Sequence, residues 1–402
     1  MALRGLHLAG GHGIDLLEGS ADYFPALVDA IDAALREVWL ETYIFDFTGG
    51  AAEVAYALER AARRGVDVRV LVDGFGTPGI APDWRERLVA AGIDWRSYAP
   101  AAPLDLLGRR AWRRMHRKLC LVDGQVAFCG GINLLDDLHD PNHGTLTAPR
   151  LDFAARITGP LVDDVRATML QLWQRMRSFR DLRRGDLEGT LTPWRGSRGS
   201  AGQEAAGGSG ARAALVLRDN VRHRTDIERA YRRAIGHARS EILIANAYFV
   251  PGRKMRRALE QAARRGVRVV LLLQGRYEYF LQYYAARPVY GALLRAGIEI
   301  HEYSPSFLHA KVAVVDGSWA TVGSSNIDPL SLLLAREANI VVEDEVFAQT
   351  LRTRVLSAVE QAGEQMDPEL YEKRPLRVRV LEHVALAALR LALLVHGKRQ
   401  YW

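Results

Sequence analysis

The chain has 402 residues, 49% of them hydrophobic, and carries 54 Lys and Arg against 47 Asp and Glu, a net charge of +7. That length accommodates two lobes that each bury a core, and the apolar content excludes a disordered chain. Only two cysteines exclude a disulfide framework and fit a reducing compartment, no basic-then-apolar leader opens the chain, and no stretch approaches a membrane span; the positive balance points to anionic partners, nucleic acid or an anionic membrane surface.

In chain order, Val38 to Phe45 reads as the first apolar strand. A helical stretch then ends at Ala61-Ala62-Arg63-Arg64-Gly65-Val66, and a strand from Val68 to Val72 stops at Asp73-Gly74. Beyond Ala91-Gly92-Ile93, strands Leu119 to Val122 and Val126 to Cys129 flank Asp123-Gly124, a strong hairpin signal. Cys120 and Cys129 read there as small apolar core residues. Residues 183–212 are dominated by Gly, Ser, Ala and charge, with no apolar period, and read as a linker. The series then recurs. Glu241 to Val250 is a strand, Ala262-Ala263-Arg264-Arg265-Gly266-Val267 repeats the earlier hexapeptide, and Val269 to Leu273 stops at Gln274-Gly275. Ala296-Gly297-Ile298 follows, then strands Val312 to Val315 and Trp319 to Val322 around Asp316-Gly317.

Helix–strand alternation written twice predicts an α/β fold of two tandem lobes related by a pseudo-twofold axis, each a mixed β-sheet flanked by helices, with the site at the lobe interface. The expected divisions are an N-terminal lobe, 1–182, the linker, 183–212, a C-terminal lobe, 213–365, and a basic amphipathic segment, 366–402.

One pattern is shared in detail. His116-Arg117-Lys118, Asp123 and Gly130-Gly131-Ile132-Asn133 recur 193 residues later as His309-Ala310-Lys311, Asp316 and Gly323-Ser324-Ser325-Asn326. Both fit H-x-K-x4-D-x6-G-[GS]-x-N. A lone His-x-Lys on a strand is an ordinary solvated edge, and His396-Gly397-Lys398 is such a case, because the chain ends before any downstream Asp or Asn. The duplicated copies each carry four further matching positions.

The residue types suit phosphoryl transfer. A neutral imidazole can attack phosphorus, an imidazolium can protonate the leaving alcohol, and two ammonium groups with two amides can hold the non-bridging oxygens. His116, Lys118, His309 and Lys311 are therefore the expected catalytic set. Asp123 and Asp316 belong to it as motif residues, although an aspartate beside the glycine of a turn more often shapes its hairpin. Asn133, Ser324 and Asn326 are expected on the phosphate. No His/Cys/Asp cluster has metal-ligand spacing, so chemistry without a metal or cofactor is expected.

Residues 373–402 hold seven basic side chains against one acid, Glu382. As a helix, this segment places Arg379, His383 and Arg390 on one face and Leu381, Val384, Ala388, Leu391 and Val395 opposite. It reads either as an interfacial helix or as a terminal helix docked on the core. The aromatic run from Tyr277 to Tyr284 similarly reads as a membrane-facing mouth or as a packed helix.

The paired His-x-Lys-x4-Asp motifs resemble the phospholipase D superfamily, over about Gly13 to Val359. Four further stretches are similar to its bacterial cardiolipin synthases without amino-terminal spans. They are Glu41-Thr42-Tyr43-Ile44-Phe45, Met115 to Lys118, Ala245 to Gly252 and Thr321 to Ser331. The resemblance implies a two-step transfer of a phosphatidyl group through a phosphohistidine, from phosphatidylglycerol to a lipid alcohol with release of glycerol; water as acceptor would make a phospholipase D, a nuclease is a further alternative, and a lipid-binding scaffold with a degenerate site is the non-enzymatic one, against which both motifs are intact. It implies His116 as nucleophile, His309 as acid/base, and Asp152 and Glu337 as the acids that orient the imidazoles. It further implies anionic phospholipid substrates, a peripheral place on the cytoplasmic side of the inner membrane, and no nucleic-acid partner. There is one departure: Gly131 occupies the position of Ser324, so only the second copy offers a hydroxyl there.

Overall fold

The computed structural model describes residues 6–99, 114–140, 143–184, 210–219, 223–276, 280–328, 335–362 and 365–395. Its first half runs β1 (Ala9–Glu18), α1 (Gly19–Asp32), β2 (Glu37–Thr42), α2 (Gly49–Arg63), β3 (Asp67–Asp73), α3 (Pro82–Ala90) and β4 (Asp94–Tyr98). It continues with β5 (Arg114–Met115), β6 (Leu119–Val122), β7 (Val126–Gly130), β8 (His139–Asp140), β9 (Gly144–Thr145), β10 (Phe153–Thr158) and α4 (Leu161–Arg184). The second half runs β11 (Ala211–Arg218), α5 (Asp226–His237), β12 (Glu241–Asn246), α6 (Arg253–Arg264), β13 (Arg268–Gln274), α7 (Phe280–Arg295), β14 (Glu299–Tyr303), β15 (Lys311–Val315), β16 (Trp319–Gly323) and β17 (Ala335–Glu343). It ends with α8 (Glu345–Ala362), α9 (Pro368–Glu372) and α10 (Leu376–Val395).

The expected α/β architecture of two related halves is present. The strand path is β14-β13-β12-β15-β16-β17-β11-β1-β10-β7-β6-β2-β3-β4, a palindrome about the β11–β1 pair. Each strand on this path thus has its counterpart at the same distance from that junction, while β5 pairs beside β17 and β8 with β9 forms a separate ribbon. The halves are hydrogen-bonded into one continuous sheet, because β1 pairs antiparallel with both β10 and β11. Of the expected linker, Ala211 and Arg212 belong to β11, residues 183 and 184 end α4, and the remainder lies outside the described residues except for Gly210.

The apolar runs are near-continuous because both faces of the strands are buried. In β2, Val38 and Leu40 face an outer core with α1 and α2, whereas Trp39 faces an inner core. That inner core joins the halves: Leu121 and Phe153 of the first half meet Leu243, Val314 and Ile340 of the second, with Val165 of α4 and Leu351 of α8 packed among them. Cys120 and Cys129 are buried core residues outside any disulfide, as expected.

The repeated hexapeptide is a helix stop. Gly65 and Gly266 adopt positive φ, 93° and 87°, which costs glycine no Cβ clash. Val66 N–H then donates to Ala61 O and Gly65 N–H to Ala62 O, with Val267 to Ala262 and Gly266 to Ala263 in the second copy. These paired bonds satisfy the last carbonyls and turn the chain directly into β3 and β13.

Candidate active site

The two histidines are held by the opposite half of the chain. β5 pairs in parallel with β17, and His116 N–H donates to Arg336 O at 3.0 Å. Reciprocally, Leu308 bridges Leu151, and His309 N–H donates to Leu151 O at 2.9 Å. Each histidine therefore sits one residue across from an acid of the other half, Glu337 after Arg336 and Asp152 after Leu151. His116 Nδ1 lies 3.1 Å from Glu337 Oε2, and His309 Nδ1 lies 2.5 Å from Asp152 Oδ2. A carboxylate at Nδ1 fixes that nitrogen as the protonated one and presents Nε2 for chemistry.

The structure brings His116, Lys118, His309, Lys311, Asp152 and Glu337 into one electrostatic cluster. Both lysines and both acids are buried, while the imidazoles keep 16% and 22% of their surface, so the rings are the parts that reach solvent. Lys118 Nζ donates to His116 O at 2.9 Å, and Lys311 Nζ makes the equivalent bond to His309 O. His116 and Lys118 lie just before β6 rather than within it, and Lys311 opens β15.

Burial pulls the Lys118 ammonium down to about 7, with Glu337 opposing and Lys311 adding to the fall. Burial also lowers His116, against the pull of Glu337. His309 falls well below the usual histidine value, through burial and then the charges of Lys311 and Lys118. Burial raises Asp152 to about 6 while Lys311 draws it back. Near neutral pH both imidazoles are therefore uncharged in the empty site, and a phosphate anion is the charge that would favour their protonation.

Three expected site residues lie elsewhere or act differently. Asp123 and Asp316 are not at the cluster. They sit at the far ends of β6 and β15 in the hairpin turns, with φ of 52° and 50°. The Asp123 carboxylate accepts N–H bonds from Leu35, Arg36 and Glu37, and that of Asp316 from Arg239, Ser240 and Glu241. Their shared role is to fasten the entry of β2 and of β12. Ser324 is fully buried, and its hydroxyl donates to Glu337 Oε2 at 2.6 Å. It therefore braces the acid behind His116, whereas a phosphate contact was expected.

The Gly131 departure has a matching cause. A Cβ on Gly131 would stand 2.3 Å from Asp152 Oδ1, so the first copy has room only for glycine beside its acid. Asn133 is nearly buried and accepts the Ile44 N–H on its Oδ1 at 3.3 Å, which leaves its NH2 group as the donor it could offer a phosphate. Asn326 is buried at the matching position.

Two contributors carry no motif signal. Tyr43 packs on His116 with ring centroids 4.8 Å apart and places its ring 5.5 Å from Lys118 Nζ. The bridges Phe45–Leu134 and Phe249–Ile327 align Tyr43 with Ala247, so His309 has no such ring above it from that position. Asp73, fully buried, accepts Met115 N–H at 2.8 Å and so anchors the segment entering His116. Tyr43 lay in a stretch that carries the resemblance, but nothing in its spacing indicated a contact with histidine.

The family described as "Cardiolipin synthase, PLD-like domain" matches residues 27–147 and 231–357. The chain belongs to this family. Cardiolipin synthase B of Escherichia coli strain K12 is 38% identical over 364 residues, spanning 90% of this chain and 84% of that protein. Cardiolipin synthase of Geobacillus thermodenitrificans is 31% identical over 94% of this chain and 74% of that protein. Among solved structures, phosphatidylserine synthase of Haemophilus influenzae shares the fold with a TM-score of 0.68 at 13% identity, covering 97% of both chains. This cardiolipin synthase family member thus repeats the two-lobed phospholipase D-like architecture.

Proposed function

We propose that the chain transfers a phosphatidyl group from phosphatidylglycerol to the hydroxyl of a second phosphatidylglycerol, forming cardiolipin and releasing glycerol. The observation that carries this reading is the crossed pair of imidazole–carboxylate couples, with two buried lysines coupled to them. Glu337 holds the Nδ1 proton of His116, so Nε2 keeps a lone pair and attacks phosphorus. The P–N bond forms as the P–O bond to glycerol breaks, and the imidazolium of His309 gives its Nε2 proton to the departing oxygen. Neutral His309 then removes the proton of the incoming lipid hydroxyl. That oxygen bonds to phosphorus, the P–N bond breaks, and both histidines return to their starting states. Lys118, Lys311 and the amides of Asn133 and Asn326 balance the charge on the non-bridging oxygens. Asp152 and Glu337 act through the histidines. The order of the two histidines follows the family resemblance.

The protein works at the cytoplasmic face of the inner membrane as a peripheral protein on anionic phospholipids. The net charge of +7 supports this placement, and no described helix is long and apolar enough to cross a membrane. The test is a product assay. Purified protein receives phosphatidylglycerol in mixed micelles, and the lipids are resolved by mass spectrometry. Cardiolipin with free glycerol is expected. Phosphatidic acid as the sole product would make water the acceptor and overturn the transferase reading. In parallel, His116→Ala should yield no phosphoenzyme with labelled donor, and normal labelling of that variant would remove His116 from the nucleophile's role.

A further inference from the structure

The C-terminal helix α10 has a docked side and an exposed apolar side. Ala385, Leu386 and Leu389 are buried in the second outer core, where α10 packs along α7. Glu382, the one acid of the helix, is buried there too and bonds Arg374. A helix docked in this way normally turns polar side chains to water on its other side. Here Leu376, Val380, Val384 and Leu391 are 73%, 53%, 58% and 63% exposed, and Leu381 is also exposed. At 3.6 residues per turn these residues, with Ala387 and Ala388, cover an outward arc of about 140°. Between this arc and the docked face stands a strip of Arg379, His383 and Arg390, while Arg377 lies within the arc. All four are exposed.

The position of this face in the fold is also informative. Burial and the charges of Arg256 and Arg253 lower the proton affinity of Arg390, which places the end of α10 beside the first turn of α6. α6 follows the carboxyl end of β12, and there Asn246 pairs with Lys311 in the sheet register. The basic end of α10 and the catalytic lysine of the second half therefore lie toward the same end of the β12 strand. Arg253, Lys254 and Arg257 add exposed positive charge at that end.

We infer that the outward face of α10 is a docking surface for an anionic lipid bilayer, with Leu376, Val380, Val384 and Leu391 entering the headgroup–acyl boundary and Arg377, Arg379 and Arg390 meeting lipid phosphates. Charge decides between this occupant and a second copy of the chain. A twofold pairing of the same face would set arginine strips against each other, whereas anionic lipid satisfies both the apolar arc and its rim. The face is distinct from the transfer site, so its occupancy is readable without turnover.

The experiment is flotation of the full chain with vesicles of phosphatidylcholine alone or mixed with phosphatidylserine, alongside the double variant Val380→Asp/Val384→Asp. The wild type should float with the anionic vesicles and much less with neutral ones, and the double variant should lose about tenfold in bound fraction. Both substituted side chains are exposed, so turnover of a monomeric short-chain phosphatidylglycerol should stay at the wild-type level, which reports an intact fold and site. A second variant, Arg377→Ala/Arg379→Ala, should weaken anionic binding and flatten its salt dependence. Equal flotation of the wild type and the aspartate variant would overturn the inference. So would a wild-type dimer, seen by light scattering, that the aspartates convert to monomer with vesicle binding unchanged.

Discussion

The sharpest consequence of the crossed pairing is the effect of Glu337→Gln. Glu337 is fully buried, and its Oε2 accepts from both His116 Nδ1, at 3.1 Å, and Ser324 Oγ, at 2.6 Å. Glutamine keeps the shape and can present its carbonyl to the same two donors, so both hydrogen bonds survive in neutral form. What is lost is the charge. A buried hydrogen bond to a charged partner contributes about 1.5–3 kcal/mol, and here that energy is realised as His116 gains positive character on attack. The expected fall is roughly 10- to 150-fold in kcat, with KM little changed because Glu337 does not reach the substrate. Glu337 also raises the proton affinity of His116, so its removal should shift the acid limb of the profile to lower pH. The assay is steady-state formation of cardiolipin across pH, with quenched-flow capture of the phosphoenzyme. Ser324→Gly, which copies the arrangement at Gly131, should cost about 1 kcal/mol in the wild type and a different amount in the Glu337→Gln background, because the two groups share one oxygen. A Glu337→Gln enzyme with kcat within about twofold of wild type would refute the reasoning.

Three other outcomes follow from the same geometry. Asp123→Asn and Asp316→Asn should each lower stability by about 1–3 kcal/mol while leaving kcat near wild type, since each carboxylate holds backbone N–H groups far from the cleft; thermal denaturation and turnover together check this. Burial acts to raise both carboxyls, but the backbone donors hold them below the usual value, so their stabilisation is present at neutral pH and is lost as pH falls through the lowered pKa. Tyr43→Ala should reduce kcat and phosphoenzyme formation, and Tyr43→Phe should restore most of both, because the contact with His116 is made by the ring; a Phe variant as impaired as Ala would assign the role to the hydroxyl. In the pH–rate profile, kcat/KM should peak on the acid side of the usual histidine value, since burial lowers both imidazoles, and kcat should peak at higher pH, since the bound phosphate anion favours the imidazolium. Coincident maxima would count against this account, as would a basic limb of kcat/KM that stays flat past the lowered pKa of Lys118.

Much of the site was legible in the chain because the duplication supplied an internal comparison. Identical spacing in two places selected His116, Lys118, His309 and Lys311 over His396 and Lys398, which lie outside the described residues. The repeated Arg-Gly-Val stops were legible as boundaries, and their capping bonds explain the recurrence. Ser324 was misplaced because a hydroxyl beside a predicted phosphate site has two possible partners, and only the packing of β16 against β17 turned it to Glu337. Asp123 and Asp316 shared the motif for a different reason from the histidines: the turn they build fixes the start of β2 and of β12. Of the aromatic run, Tyr283 and Tyr284 lie on α7, where Tyr284 packs against the outer core and Tyr283 bonds Arg287. Tyr277 lies outside the described residues.

The sequence by itself determined the repeated α/β units and the hairpin turns and singled out two histidines with two lysines, although the strands read as Val38 to Phe45 and Glu241 to Val250 end at Thr42 and Asn246. Such features depend on local periodicity and on residue type, and both are written along the chain. Only the tertiary structure decided which acid serves which histidine. Asp152 lies 36 residues after His116, yet it serves His309, 157 residues away. The parallel pairing of β5 with β17, and the bridge from Leu308 to Leu151, carry each histidine across the pseudo-twofold axis to the other half's acid. The same holds for α10, whose apolar residues are too evenly spread around the helix for its sequence to say which of them α7 covers and which face outward.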